Sequence, residues 1–241
     1  MRLKNKNILI TGAAKRIGRI LSLLIAREGG DVLIHHNNST PEAKLLQNEI
    51  QDIGQSAVII QADFSDQGST IKFVDQLFNL YKIDAVINNA SLFSNLDLSS
   101  TTIEDWRRHQ SVNLETPFLM SQAYAKSLKK GKFGKIINML DWRALRPGAD
   151  HLPYTISKAG LAALTKSLAV SLAPNISVNG IALGAILPPS EGGATETITA
   201  GLPIPRWATI PELEETVMFL LSGPAYITGE IIHLDGGRHL I

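Results

Sequence analysis

The chain has 241 residues, a mass of 26.2 kDa and a net charge of +1. It contains no cysteine, which excludes a disulfide scaffold, a thiol nucleophile and a cysteine-ligated zinc or iron–sulfur site, and we predict no metal site. The balance of 23 basic and 22 acidic residues favours neither nucleic acid nor an anionic membrane as a partner. The sequence shows no apolar run long enough to span a membrane and no signal-peptide pattern, so we expect a cytoplasmic protein.

Short apolar runs alternate with stretches of helical periodicity along the chain. Continuous apolar strands are typical of a parallel sheet buried on both faces, and apolar residues three or four apart indicate the helices between them. The seven predicted strands are 8–10, 32–34, 58–60, 85–87, 135–139, 176–181 and 230–234. This alternation predicts a single α/β domain over residues 1–241, with a doubly wound sheet of about seven parallel strands flanked by helices.

One segment interrupts this pattern, at about residues 183–209. It is rich in proline and glycine and follows directly on the sixth strand. A long irregular segment inside a compact domain is often functional, so we interpret it as a substrate loop that covers a site. The alternative is an ordinary surface excursion.

A glycine turn follows the first strand, at residues 11–18. Gly12 allows a tight turn and Gly18 allows the next helix to pack closely on the sheet, while the helix N-terminus favours a pyrophosphate. Arg16 stands where a middle glycine is usual, and its guanidinium is suited to pair with phosphate. The strand–turn–helix context favours a nucleotide-binding turn over an ordinary one.

The end of the second strand indicates which nucleotide is bound. The first acidic residue after that strand is Glu42, so no carboxylate would repel a 2′-phosphate, and NADPH is favoured over NADH. Lys15, His36 and Ser39 are candidates to supply donors and charge to that phosphate.

The predicted cofactor site extends to the third strand. Asp63 follows that strand and can accept a hydrogen bond from an adenine amine, although a turn or helix-capping aspartate is an open alternative. The remaining cofactor contacts predicted in these segments are Ile17, His35, Asn37, Asn38 and Phe64.

Tyr154 and Lys158 are four residues apart in a helical segment, so both side chains lie on one helix face. A neighbouring ammonium favours the phenolate and lowers a tyrosine pKa from its usual value near 10. We therefore expect Tyr154, with a pKa brought towards neutrality by Lys158, to donate a proton in a reduction.

Taken together, these motifs resemble the short-chain dehydrogenase/reductase family. The resemblance rests on Thr11-Gly12 with Gly18, Asn88-Asn89-Ala90, Asn113, Tyr154 with Lys158, Tyr226-Ile227-Thr228-Gly229 and Asp235-Gly236-Gly237. It implies a Rossmann-type sheet of seven parallel strands, a nicotinamide cofactor at its carboxyl edge and usually a homotetramer. It also implies cofactor contacts from Asn89, Ala90, Ser91 and Gly184, a relay water on Asn113, and a grip on the nicotinamide ribose by Lys158.

The sequence departs from the family where a catalytic serine is usual, thirteen residues before Tyr154. Asp141 stands there, and an ionised carboxylate raises a tyrosine pKa, which is unhelpful for carbonyl reduction. Together with Arg16, the His35-His36 segment and Ser91-Leu92-Phe93, this aspartate makes the chain similar to pteridine reductases and dihydromonapterin reductases.

That resemblance implies a pterin-like substrate. Phe93 would stack on the flat ring against the nicotinamide, and Asp141 with Tyr154 would deliver a proton to a ring nitrogen. Ser91 and Arg16 would supply polar contacts that a buried pterin needs. Phe93 as simple loop packing is an open alternative. Two other functions also remain: a general carbonyl or 3-oxoacyl-thioester reductase, and a catalytically silent protein that senses NADP.

Overall fold

The computed structural model describes residues 1–188 and 196–241, and its framework is one seven-stranded sheet. The strands are β1 (Asn7–Ile10), β2 (Asp31–His36), β3 (Ala57–Gln61), β4 (Ala85–Asn88), β5 (Gly134–Asp141), β6 (Ile176–Leu183) and β7 (Ile231–Leu234). Every neighbouring pair is parallel, in the order β3-β2-β1-β4-β5-β6-β7. The predicted α/β fold with about seven parallel strands is therefore confirmed.

The central strands are apolar because both of their faces are covered. Leu9 and Ile10 of β1 and Val86 of β4 are fully buried, as expected for a parallel sheet between two helical layers. β5 and β6 run two residues further than predicted, to Asp141 and Leu183. Asp141 is therefore the last residue of a strand, which places it at the carboxyl edge of the sheet.

Helices cover both faces of the sheet. They are α1 (Arg16–Arg27), α2 (Thr40–Asp52), α3 (Gln67–Leu80), α4 (Ile103–Gln110), α5 (Thr116–Ser127), α6 (Leu152–Leu172), α7 (Glu196–Thr199) and α8 (Ile210–Ser222). Apolar side chains of α1, α2 and α8 form one core layer, and those of α3, α5 and α6 form the other. A π-helical turn, Ser111–Glu115, joins α4 to α5.

The strand order reverses direction next to β1, which pairs with β2 on one side and β4 on the other. Loops that leave β1 and β4 therefore diverge, and they open a crevice at the carboxyl ends of the strands. In open α/β sheets such a switch point is where ligands bind.

The structure describes part of the predicted loop at 183–209. Its residues 189–195 lie outside the described residues, and the rest contains the short helix α7. Within residues 1–188 and 196–241, the helices are too short or too polar to cross a membrane.

Candidate active site

A pocket of about 380 Å³ lies at the switch point of the sheet. It brings together the following residues predicted as site residues: Gly12, Lys15, Arg16, Ile17, Gly18, Asn89, Ala90, Ser91, Phe93, Asp141, Tyr154, Lys158 and Gly184. Five further lining residues, which we did not predict, are Met139, Leu140, Leu183, Ile186 and Leu187. These apolar residues lie at the ends of β5 and β6 or directly after β6, and the shared carboxyl edge of parallel strands is the signal that could have identified them.

The glycine turn approaches its neighbours too closely for any larger residue. Gly12 has φ +63°, and a Cβ built on Gly18 would lie 2.0 Å from the Gly12 carbonyl oxygen. Thr11 ties the turn to the loop after β4, because its Oγ1 accepts hydrogen bonds at 2.9 Å from the backbone N–H groups of Asn89 and Ala90.

The N-terminus of α1 is suited to an anion. It has no side-chain cap, and its first turn contains no acidic residue. Unsatisfied backbone N–H groups and the helix dipole therefore face the pocket without a competing carboxylate. This arrangement fits the pyrophosphate of a dinucleotide.

Arg16 occupies a backbone conformation that favours glycine. Its φ is +52°, in the left-handed region, which accounts for the glycine that is usual at this position. The guanidinium donates a 2.7 Å hydrogen bond to the carbonyl oxygen of Pro188 and so connects the glycine turn with the segment after β6.

His35 supports the glycine turn from below instead of contacting a ligand. Its Nδ1 accepts a 3.1 Å hydrogen bond from the Gly12 N–H, and its Nε2 lies 3.1 Å from the Ala62 carbonyl oxygen. The ring stacks on Phe64 with centroids 4.0 Å apart. Burial lowers the pKa of His35 to about 3, so the imidazole is neutral. The prediction of His35 and Phe64 as cofactor contacts is corrected to this supporting role for both side chains.

This burial makes the protein sensitive to acid. Because the pKa of His35 is about 3 in the folded state and near 6.5 when unfolded, the unfolded chain binds more protons between these values. The contribution of neutral His35 to the free energy of unfolding is therefore fully present above about pH 6.5. It falls by up to about 4 kcal/mol as the pH drops towards 3. Urea titrations from pH 7 to 4 should show this slope reduced in His35→Asn, whose amide oxygen can still accept from Gly12. An unchanged slope in the variant would rule out His35 as its source.

The end of β2 and the segment after it present fewer polar groups to the solvent than predicted. His36 is only 3% exposed and its Nδ1 has no hydrogen-bond partner, and Ser39 is also buried. The side chain of His36 therefore does not reach a 2′-phosphate, which corrects that prediction. Asn37 and Asn38 are exposed and remain candidates.

Two other charged candidates have partners within the protein. Lys15 forms an ion pair of 3.3 Å with Glu42, so its charge is shared. Asp63 accepts a 2.9 Å hydrogen bond from the Ser65 N–H, and that bond is the main cause of the lowered pKa of Asp63. Asp63 thus forms the turn that was its alternative interpretation, and it does not line the pocket.

Tyr154, Asp141 and Lys158 meet on the floor of the pocket. The Tyr154 hydroxyl donates a 3.0 Å hydrogen bond to Asp141 Oδ2, and Lys158 Nζ donates a 2.7 Å hydrogen bond to the Met139 carbonyl oxygen. Asp141 Oδ1 accepts from the Arg143 N–H and begins a 3₁₀ turn, Trp142–Ala144. The last residues of β5 therefore hold both catalytic candidates of α6.

The prediction that Lys158 brings the pKa of Tyr154 towards neutrality is wrong. Burial, followed by the negative charge of Asp141, raises the pKa of Tyr154 well above 10. Burial also lowers the pKa of Lys158 to about 8, while Asp141 opposes this shift. Tyr154 therefore keeps its proton at neutral pH, and Asp141 is the group that its hydroxyl contacts.

Asn113 lies behind the pocket, in the π-helical turn, and is fully buried. Its Oδ1 accepts from the Leu92 N–H, and its Nδ2 donates to the Leu92 carbonyl oxygen and to Ser157 Oγ. These bonds tie the segment after β4 to α6. The side chain of Asn113 thus supports the site, and its relay water stays a prediction.

Phe93 projects at the mouth of the pocket and is 58% exposed. Its ring is nearly perpendicular to that of Tyr154, with centroids 4.7 Å apart and an angle of 85°. A second aromatic neighbour, His151, was not predicted; it stacks on Phe93 at 4.1 Å. Ser91 is exposed beside them, so a polar and an aromatic group both face the opening.

Comparisons with known proteins agree with this architecture. The family described as Enoyl-(Acyl carrier protein) reductase matches residues 12–239. The 3-oxoacyl-[acyl-carrier-protein] reductase FabG of Aquifex aeolicus is 32% identical over 245 residues, with 98% of each chain covered.

Two solved structures of similar proteins are complexes of FolM alternative dihydrofolate reductase 1 with NADP. The Brucella canis protein is 35% identical with a TM-score of 0.90, covering 100% of this chain and 97% of that one. The Brucella suis protein is 35% identical with a TM-score of 0.89, covering 98% and 96%. With the family match over nearly the whole length, the chain belongs to the short-chain dehydrogenase/reductase family.

Proposed function

We propose that this protein is an NADPH-dependent reductase that transfers a hydride to a pterin-type substrate, such as a dihydropterin or dihydrofolate. The observation that carries the proposal is the 3.0 Å hydrogen bond from Tyr154 to Asp141, at the position where the family usually has serine. The exposed ring of Phe93 beside this pair and the likeness to the FolM reductases support the same substrate class.

The cofactor would lie across the carboxyl edge of the sheet. The glycine turn and the N-terminus of α1 would hold its pyrophosphate, with Arg16 at the phosphates and Lys158 at the nicotinamide ribose. Asn89, Ala90 and Gly184 would line its path. When bound, NADPH supplies the hydride.

A flat substrate ring would stack on the exposed part of the Phe93 ring. Its exocyclic amine and ring nitrogens need hydrogen-bond partners when buried, at a cost of roughly 1–3 kcal/mol for each one left unpaired. Asp141, Ser91 and Arg16 are the polar groups at the pocket that can meet this need.

Tyr154 would complete the reduction by protonating nitrogen. After hydride addition to the carbon of a ring C=N bond, the adjacent nitrogen holds the electron pair and becomes a strong base. A tyrosine with a raised pKa remains protonated until that base forms, and it can then give up its proton. Asp141 holds the hydroxyl in place and can bind the substrate amine.

The direct test is oxidation of NADPH by the purified protein with dihydrobiopterin or dihydrofolate, beside an acetoacetyl thioester. We expect kcat/KM to be higher for one of the pterins than for the thioester. Turnover of the thioester alone would overturn the proposed substrate class and leave the family assignment intact.

A 3-oxoacyl-thioester reductase is the second candidate. The matched family and the Aquifex aeolicus relative both carry acyl carrier protein in their names. Against it stands Asp141, which takes the place of the usual family serine and adds a negative charge beside Tyr154 to the burial that already raises the pKa of this hydroxyl.

Cofactor preference can be tested at Asn38, an exposed residue just beyond β2. Asn38→Asp introduces a carboxylate that repels a 2′-phosphate, and Asn38→Arg introduces a partner for it. We expect the ratio of kcat/KM for NADPH over NADH to fall about tenfold in the first variant and to rise in the second. Equal use of both cofactors by the wild type would contradict the NADPH preference.

Assembly as a homotetramer also remains a proposal. Exposed apolar side chains on α5 and α6, among them Phe118, Ile156 and Val170, support self-association. Light scattering at micromolar concentration should show a multimer, and a stable monomer would contradict it.

A further inference from the structure

His151 forms one wall of an aromatic cluster at the mouth of the pocket. Its ring lies nearly parallel to that of Phe93, with centroids 4.1 Å apart and an angle of 15°. The Phe93 ring is also in T-shaped contact with the ring of Tyr154. His151 therefore covers one face of the Phe93 ring, and Phe93 is still 58% exposed.

The backbone and side chain of His151 are both fixed. The residue directly precedes α6 and has φ +52°, a left-handed conformation that residues other than glycine seldom adopt, with histidine, asparagine and aspartate adopting it more often than the rest. Its Nδ1 lies 2.9 Å from the Ser94 carbonyl oxygen, so Nδ1 carries the hydrogen. The neighbouring Leu152 N–H donates a 2.7 Å bond to the Leu96 carbonyl oxygen.

These contacts join two segments that carry the site. Residues 91–96 follow β4 and bear Phe93, whereas α6 bears Tyr154 and Lys158. The ring stack, the bond from the His151 side chain to Ser94 and the backbone bond from Leu152 to Leu96 together fix the plane of Phe93 relative to the Tyr154 hydroxyl. An exposed phenylalanine without such support would sample several rotamers and lose part of any stacking energy when it is ordered.

We propose that His151 is a positioning residue, which keeps the Phe93 ring in one orientation and thereby sets the preference for planar aromatic substrates. His151 acts through Phe93 and does not itself contact the reacting atoms. The inference rests on the proposed function, because the orientation of the Phe93 ring matters only for a substrate with a flat ring.

The test uses His151→Asn. Asparagine tolerates the left-handed backbone, and its amide can donate to the Ser94 carbonyl oxygen, so this change removes the ring and keeps the turn. We expect KM for dihydrobiopterin to rise about 3- to 10-fold, the range for loss of an aromatic pair. The change in kcat should be about twofold or less, and the Kd for NADPH, measured by fluorescence, should stay within about twofold of the wild type.

A double-mutant cycle with Phe93→Leu shows whether His151 acts through Phe93. In the Phe93→Leu background, His151→Asn should raise KM little further, because the aromatic ring that His151 positions has already been removed. An additive rise, or a wild-type KM in His151→Asn alone, would overturn the inference while the proposed function stands. Absence of any pterin turnover by the wild type would overturn both.

Discussion

Tyr154→Phe is expected to lower kcat for pterin reduction by about 10²–10⁴-fold, the usual contribution of a positioned proton donor. The change removes the hydroxyl that donates to Asp141 and leaves the ring that meets Phe93. Lys158 keeps its bond to the Met139 carbonyl oxygen, so the cofactor side of the pocket is preserved. Steady-state kinetics should therefore show the loss in kcat, with a Kd for NADPH within about twofold of the wild type.

Tyr124→Phe is the matched control. Tyr124 is fully buried in α5, and its hydroxyl donates a 2.6 Å hydrogen bond to the Asp84 carbonyl oxygen, away from the pocket. This variant should lose roughly 1–3 kcal/mol of stability by leaving a carbonyl group unpaired, and it should keep its kcat. If Tyr154→Phe retained more than about a tenth of the wild-type kcat, proton donation by Tyr154 would be excluded.

The sheet could be predicted from sequence because its strands are buried on both faces. Runs such as 8–10 and 85–87 are apolar at every position, and this signal does not depend on which side chain faces which layer. The ends of β5 and β6 were harder to predict, because they lead into polar or proline-rich segments. Asp141 was identified by its distance from Tyr154 in the sequence, and its place as the last strand residue came from the structure.

The candidate site was predictable where spacing alone fixes geometry. Tyr154 and Lys158 are four residues apart in a helix, so they lie on one helix face. The glycine turn could be predicted because it lies between a strand and a helix. The direction of the tyrosine pKa shift was not predictable from spacing, because burial outweighs the nearby ammonium. Whether a histidine at a strand end points inward is likewise a tertiary property, and His35 is buried under the turn.

The contact between Phe93 and His151 was beyond sequence reasoning for a related reason. The two residues are far apart in the chain, and they meet only because the segment after β4 crosses the N-terminus of α6. No local periodicity marks either residue. Long-range contacts between loops depend on the assembled sheet, so they follow from the fold and not from the motif.

Asp141→Ser is expected to separate the two candidate substrates. Serine restores the usual family residue and can still cap the 3₁₀ turn that Asp141 begins. It removes the negative charge that raises the pKa of Tyr154, so this pKa should fall. For a pterin substrate, loss of the carboxylate that binds the ring should lower kcat/KM by about 10²-fold, whereas thioester reduction should be retained or improved.

The pH dependence of kcat/KM provides an independent measure of the same change. Because the reaction requires protonated Tyr154, the wild type should keep its activity to high pH, and Asp141→Ser should lose activity at a lower pH. Asp141→Asn is the matched control, since it removes the charge and keeps the size and shape of the side chain. Its amide oxygen can accept from the Arg143 N–H, and its NH2 group then faces the Tyr154 oxygen. It should shift the alkaline limit in the same direction as serine. If pterin turnover were unaffected in both variants, Asp141 would have no part in substrate binding or proton delivery, and the pterin assignment would lose its main support.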